Sequence, residues 1–329
     1  MRFPDGIEAQ PEVLRTSAAS VRGTLDHIAP LDEGAVVALV GIGASEHVAR
    51  SAAPVWRRLG LRAFALSATE LADAPGRVAD VVVAMSESGR STETVAALES
   101  TSGRRIAITN FADSPLAGLV DEVIALESGP DSPVYTTGYT ATLQAIGLLG
   151  EHWAGRGSDW SALPDQAGRV IADARPLVDS VVQRFDEARI IDVVGSGASL
   201  TTAGEGALLL REAARALTAA HETHNYLHGP MEPLDPSVAC VVVGAGRELR
   251  LAREVSDLGC CTLLVTTDTD VEGGDGLIPI RLPEPASSLA RSVLEILPLQ
   301  LLGWSLASRR GLRADGFRYH QDDIKLGSR

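Results

Sequence analysis

Four hydroxyl residues, Ser86, Ser88, Ser91 and Thr92, crowd one seven-residue stretch of this 329-residue chain, with Gly89 among them. They follow Val81 to Ala84, a β-branched run that reads as a buried strand. They precede Glu93 to Leu98, which reads as the opening of a helix. Such a turn presents backbone N–H groups and hydroxyls at the positive end of a helix, where phosphate binds. Gly89 lets the backbone approach a ligand closely. Capping the helix would need only one such residue. The carboxyl end of a strand is also where open α/β sheets bind ligands.

Three other groups could do chemistry. Glu205 and Glu212 stand seven apart on an otherwise apolar helical stretch, so they share one face with Leu208 and Leu209. A single carboxylate on a helix is ordinarily a solvated charge; two on a largely apolar face are unusual and point to function. His228 stands before Gly229-Pro230, with His221 and His224 upstream. It reads as a simple loop residue or as part of a metal cluster with those two histidines. A metal cluster there lacks the accompanying Cys or Asp set, so no metal is expected. Lys325 lies in a polar tail and is the only lysine of an Arg-rich chain. That usage suggests a position where arginine would not serve.

The surrounding elements alternate. A helix is predicted over 8–29. Strands follow at 35–40, 61–66, 81–84, 105–109 and 122–126, then a long apolar helix to about Trp153. Residues 154–188 are polar and broken by Gly157 and Pro164, with a helix ending at 181–185. A second series then places strands at 190–194, 216–220, 238–243, 262–265 and 277–280 and a helix over 289–308. Strands alternating with helices at this spacing mean parallel sheets covered on both faces. The turn Gly41-Ile-Gly-Ala-Ser45 recurs as Gly195-Ser-Gly-Ala-Ser199, which signals an internal duplication. The expected architecture is α/β, two doubly wound parallel-sheet domains related by pseudo-two-fold symmetry. Their boundaries are an N-terminal helix (1–32), a first domain (33–153), a linker helix region (154–185), a second domain (186–308) and a tail (309–329). The second copy has Gly244-Ala-Gly-Arg247 where the first has Ser86-Glu-Ser-Gly-Arg-Ser91, so one pocket per chain is expected. The first glycine turn is not GxGxxG, since Gly41 and Gly43 are followed by Glu46, and no acidic residue closes the next strand, so no dinucleotide is expected, and no cofactor.

The formal net charge of −14 argues against nucleic acid and anionic membrane as partners. Three cysteines, two of them adjacent at 260 and 261, give neither a disulfide framework nor a CxxC spacing. A cytoplasmic location fits, and neither a signal segment nor a membrane span is expected.

Gly-x-Gly-x-Ser after the first strand of each half and Ser-x-Ser-Gly-x-Ser after the third resemble the sugar isomerase (SIS) domain. The tandem resembles the isomerase half of the glucosamine-6-phosphate synthase (glutamine–fructose-6-phosphate aminotransferase) family. Glu205-Gly-Ala-Leu-Leu-Leu-Arg-Glu212, followed by His228-Gly-Pro230, is the most specific piece of that likeness, and 297–302 also fits. The resemblance implies that Ser45, Ser86, Ser88 and Ser91 hold a sugar phosphate and that Val134 and Thr136 line the sugar. It implies that Glu212 moves a proton between C1 and C2. It further implies that His228 opens the sugar ring in a neighbouring subunit of a homodimer, and that Lys325 forms an imine as the tail closes the active site. Glu205 joins the substrate side of this set.

The chain departs from that pattern at three places. Glu87 replaces a Gln in the phosphate turn, where it repels an anion or binds a sugar hydroxyl or ammonium; Arg90 is the expected partner that turns it away. Leu209 replaces a lysine, and Ile42-Gly-Ala-Ser45 lacks one hydroxyl. The glutaminase half and its N-terminal Cys are missing from this sequence. The expectation is therefore an amino-sugar phosphate isomerase that releases ammonia. The alternatives are a plain phosphosugar isomerase, a fructosamine-phosphate deglycase, or a non-catalytic sugar-phosphate-binding protein.

Overall fold

The computed structural model describes residues 1–74 and 76–327. It divides into two compact units. One comprises residues 10–131, 137–161 and the tail from 318; the other comprises 1–9, 132–136 and 162–317. A helix α1 (Phe3–Leu25) opens the chain.

In the first of these units, β1 (Val36–Gly41), β2 (Arg62–Ser67), β3 (Val81–Met85), β4 (Arg104–Thr109) and β5 (Glu122–Ala125) form one sheet, ordered β2-β1-β3-β4-β5 and parallel throughout. Every residue of β3 is buried, whereas the edge strand β2 is half open. That is why β3 reads as an unbroken β-branched run: helices cover both of its faces. α2 (Ala44–Arg58), α3 (Ala68–Ala72), α4 (Thr92–Ser100) and α5 (Thr137–Trp153) supply the cover. Val40, Val82, Ala84, Leu71, Leu98 and Ala107 share one buried cluster.

The other unit repeats the pattern. β6 (Ile190–Gly195), β7 (Thr218–Glu222), β8 (Val238–Val243), β9 (Cys261–Thr266) and β10 (Leu277–Arg281) pair in parallel in the order β7-β6-β8-β9-β10. α6 (Leu163–Glu187), α7 (Ser199–Ala214), α8 (Thr223–Leu227), α9 (Arg247–Asp257) and α10 (Ser288–Arg309) flank it. Each sheet therefore has a reversal point, between β1 and β3 in one and β6 and β8 in the other. Ligands of doubly wound sheets sit at the carboxyl ends of the strands at such a point.

Two local expectations differ from the structure. Pro164 does not break the polar segment; it occupies the first turn of α6, which runs 25 residues. Proline's fixed φ and missing N–H suit that position. β7 starts at Thr218 rather than 216, which puts His221 inside the strand and His224 in α8.

Candidate active site

The turn from Ser86 to Ser91 is tied down from below. The Ser86 N–H donates to Ile108 O (3.1 Å), the Asn110 N–H to Glu87 O (2.9 Å) and the Leu116 N–H to Gly89 O (3.0 Å). Ser86 is 4% exposed, and its Oγ lies 3.1 Å from Ser91 Oγ. Ser91 is the N-cap of α4, yet its hydroxyl makes no capping bond. Ser88 Oγ accepts only the Arg90 N–H, at 3.3 Å. Three serine hydroxyls and the N-terminus of α4 thus converge at the reversal point, an arrangement suited to an anion. Ser45 lies on the other side of that point, after β1. It is the second residue of α2, whose N-cap is Gly43, so capping does not account for it.

The fourth hydroxyl belongs to the tail. Thr92 Oγ1 donates to Asp323 O (2.8 Å) and the Thr92 N–H to Ile324 O (3.2 Å). Ser91 and Lys325 form an antiparallel bridge, which puts Lys325 at the edge of the hydroxyl cluster.

Glu87 is not held by Arg90. Its Oε1 accepts from Asn110 Nδ2 at 3.1 Å. Its Cγ also lies where a Cβ on Gly138, the second residue of α5, would stand 2.6 Å away. The carboxylate therefore turns toward Asn110 and the N-terminus of α5, whose dipole favours a negative charge. Arg90 instead donates to the carbonyls of Leu326 (3.4 Å) and Gly327 (2.9 Å). The i,i+3 pairing expected for these residues presupposes a helix, and α4 begins only at Thr92. Asn110, at the end of β4, carried no motif that would have marked it.

In the other unit, α7 carries Glu205 and Glu212. Glu205 is 2% exposed and its Oε2 has no hydrogen-bond partner. Burial, reinforced by the charge of Glu212, pushes the Glu205 carboxyl well above the usual carboxylate range. Glu212 is half-buried about two turns further along the same face. Leu209 is fully buried, and a Cβ on Gly303 of α10 would come within 2.8 Å of it, so this position packs two helices together. Val134 and Thr136 belong to this unit and are fully buried; Thr136 O accepts from Gln300 Nε2 at 3.4 Å. His228 ends α8 with an exposed ring. His221 faces Asp192 (3.7 Å) and His224 faces Glu222 (3.1 Å). Among the described residues no His, Cys, Asp or Glu group could hold a metal ion.

A raised pKa in the folded state means that folding takes up a proton. The stability contributed is full below the ordinary carboxylate pKa and is lost as pH rises toward the folded value. Glu205→Gln, which keeps the shape of the protonated acid, should flatten that fall. Melting curves of both proteins between pH 4 and 8 check it; parallel curves would show that Glu205 does not titrate as its burial demands.

The second copy of the turn holds a feature that the sequence did not reveal. Glu248, in the first turn of α9 and 3% exposed, accepts from Ser196 Oγ (2.8 Å), Thr223 Oγ1 (2.6 Å) and the Gly246 N–H (3.1 Å). These donors come from the carboxyl ends of β6, β7 and β8. Burial opposes its charge, but those hydrogen bonds prevail and hold the carboxyl below its usual pKa. Ser199, the counterpart of Ser45, donates to the buried Glu295 at 2.7 Å.

Residues 35–151 match the sequence profile described as the SIS domain. This segment is a SIS domain. Its β1–β5 order and its serine turn are the features set out above. A glutamine–fructose-6-phosphate aminotransferase [isomerizing] from Gloeobacter violaceus is 30% identical over 261 residues, covering 71% of this chain and 42% of that protein. The chain thus spans less than half the length of that relative. Two solved structures share the fold. The C-terminal domain of glucosamine-fructose-6-phosphate aminotransferase from Francisella tularensis has a TM-score of 0.79 and 20% identity, covering 94% of this chain and 96% of that one. Glucosamine-6-phosphate deaminase from Thermotoga maritima has a TM-score of 0.81 and 21% identity, covering 99% and 100%. Beyond the SIS domain, the same strand order in the second unit supports a tandem repeat. No helix among the described residues is long and apolar enough to cross a membrane.

Proposed function

We propose that this chain is a phosphosugar aldose–ketose isomerase that acts on a 2-amino-sugar 6-phosphate and releases ammonia. The observation that carries this reading is the seating of the only lysine against a hydroxyl-lined helix N-terminus. An anion seat whose bridging segment carries the chain's lysine suits a substrate with phosphate at one end and a carbonyl near the other. Ser45, Ser86, Ser88 and Ser91 take the phosphate. Glu212 removes the C2 proton of the open-chain sugar and returns it to C1, leaving an imine at C2. The Lys325 amine displaces ammonia from that imine, and water hydrolyses the lysine imine to give the ketose phosphate. Val134 and Thr136 line the sugar. The exposed ring of His228 supports a role in ring opening within a second copy of the chain, and so a homodimer.

Ammonia release from glucosamine 6-phosphate is the direct test. Borohydride added with fructose 6-phosphate should fix the sugar on Lys325, read as a mass gain on the tail peptide. Turnover of hexose 6-phosphate or fructosamine phosphate without ammonia from glucosamine 6-phosphate would replace the deaminating reading. A raised Tm with every sugar phosphate and turnover of none would make the chain a binding protein.

A further inference from the structure

Arg90 holds the tail from beyond Lys325. Its Nη1 reaches the carbonyls of the two residues that follow the lysine, Leu326 and Gly327. Before the lysine the tail is held by the Thr92 bonds to Asp323 and Ile324, and beyond it the Leu326 N–H also donates to Arg90 O at 2.9 Å. Little apolar burial helps: Ile324 is 47% and Leu326 36% exposed. A two-stranded pairing this short is marginal in water. Charge-assisted bonds are roughly twice as strong as neutral ones. A cation is also unfavourable just before the positive end of a helix unless anions or carbonyls receive it, and here carbonyls do.

We propose that Arg90 is a positioning residue: its guanidinium grips the carbonyls after Lys325 and so seats the chain's single lysine on the serine turn. Arg90 is on this account neither the partner of Glu87 nor a ligand of the phosphate. The catalytic half of the proposal rests on the reading of Lys325 given above; the grip itself does not.

The single lysine makes the test specific. A lysine-specific endoprotease can cut this chain only after Lys325, removing the last four residues, Leu326 to Arg329. Cleavage needs the tail undocked, so its rate follows the open population. Arg90→Gln should speed this cut about tenfold. With glucosamine 6-phosphate, the same variant should lose about tenfold in kcat with KM within about twofold, because the phosphate seat stays intact. Equal cleavage rates would overturn the grip. Faster cleavage with unchanged kcat, or a KM rise with unchanged kcat, would overturn the positioning role. Wild-type turnover by Lys325→Ala would instead mark failure of the Lys325 reading, with the protease result still deciding the grip.

Discussion

Glu212→Gln should lower the release of ammonia from glucosamine 6-phosphate by ~10²–10⁴-fold, the range a positioned general base supplies. The amide keeps the shape of the side chain but cannot take a proton. α7 fixes the residue's place: the neighbouring Arg211 guanidinium donates twice to Thr218 O, at 3.1 and 2.7 Å, locking the last turn of the helix to β7. Glu205 lies on the same helix, and the charge of Glu212 adds to the burial that raises its carboxyl pKa. Glu212 is half-buried, so the substitution should leave Tm within a few degrees of the parent, near what surface changes cause. Steady-state kinetics beside a melting curve make the comparison. A variant with more than about a tenth of the parent kcat would remove Glu212 as the base and turn attention to Glu205.

Gly89→Ala should cost the most stability of any change in the serine turn. Gly89 has φ 60°, which an L-residue adopts at a cost of ~1–2 kcal/mol. An added Cβ would also fall on the Oγ and Cβ of Ser114 and come within 2.9 Å of Thr109 Oγ1. Overpacking of that kind adds ~1–3 kcal/mol. The sum, ~2–5 kcal/mol, lowers Tm by roughly 10 °C in a domain of this size. Phosphate binding should fall with it, because the turn's N–H groups move. Gly43→Ala is the control: φ is 57° there too, but no atom lies within 4 Å of the added carbon. Only the backbone cost of ~1–2 kcal/mol applies to it. Equal losses from the two substitutions would show that Ser114 yields and that the close approach at Gly89 is unimportant.

Much of this was legible in the sequence because the physics was local. A parallel strand buried on both faces must be apolar throughout, so β3 and β8 announce themselves, and repeated Gly-x-Gly-Ala-Ser turns mark the duplicated sheets. The serine turn was legible because hydroxyls in that number exceed what capping needs. Long-range partners were not. Glu87 and Arg90 are close in sequence, and helical spacing predicts a pair. Helix α4 does not begin until Thr92, so the two are not on a helix, and each finds a group distant in sequence: Asn110 for Glu87, the tail carbonyls for Arg90. The absence of hydroxyls at Gly244-Ala-Gly-Arg247 read as a simple loss. Nothing local shows that Ser196, Thr223 and Gly246 converge on the next residue in line, Glu248.

That convergence bears on stoichiometry. A carboxylate carried by the chain already has the donors that three neighbouring strand ends of the second sheet could offer an anion. It is covalently attached, and so is present at an effective concentration that no free phosphate matches. A titration with a phosphosugar should therefore saturate at one molecule per chain. On that expectation a sigmoidal response, if one is measured, arises between copies of the chain rather than within one.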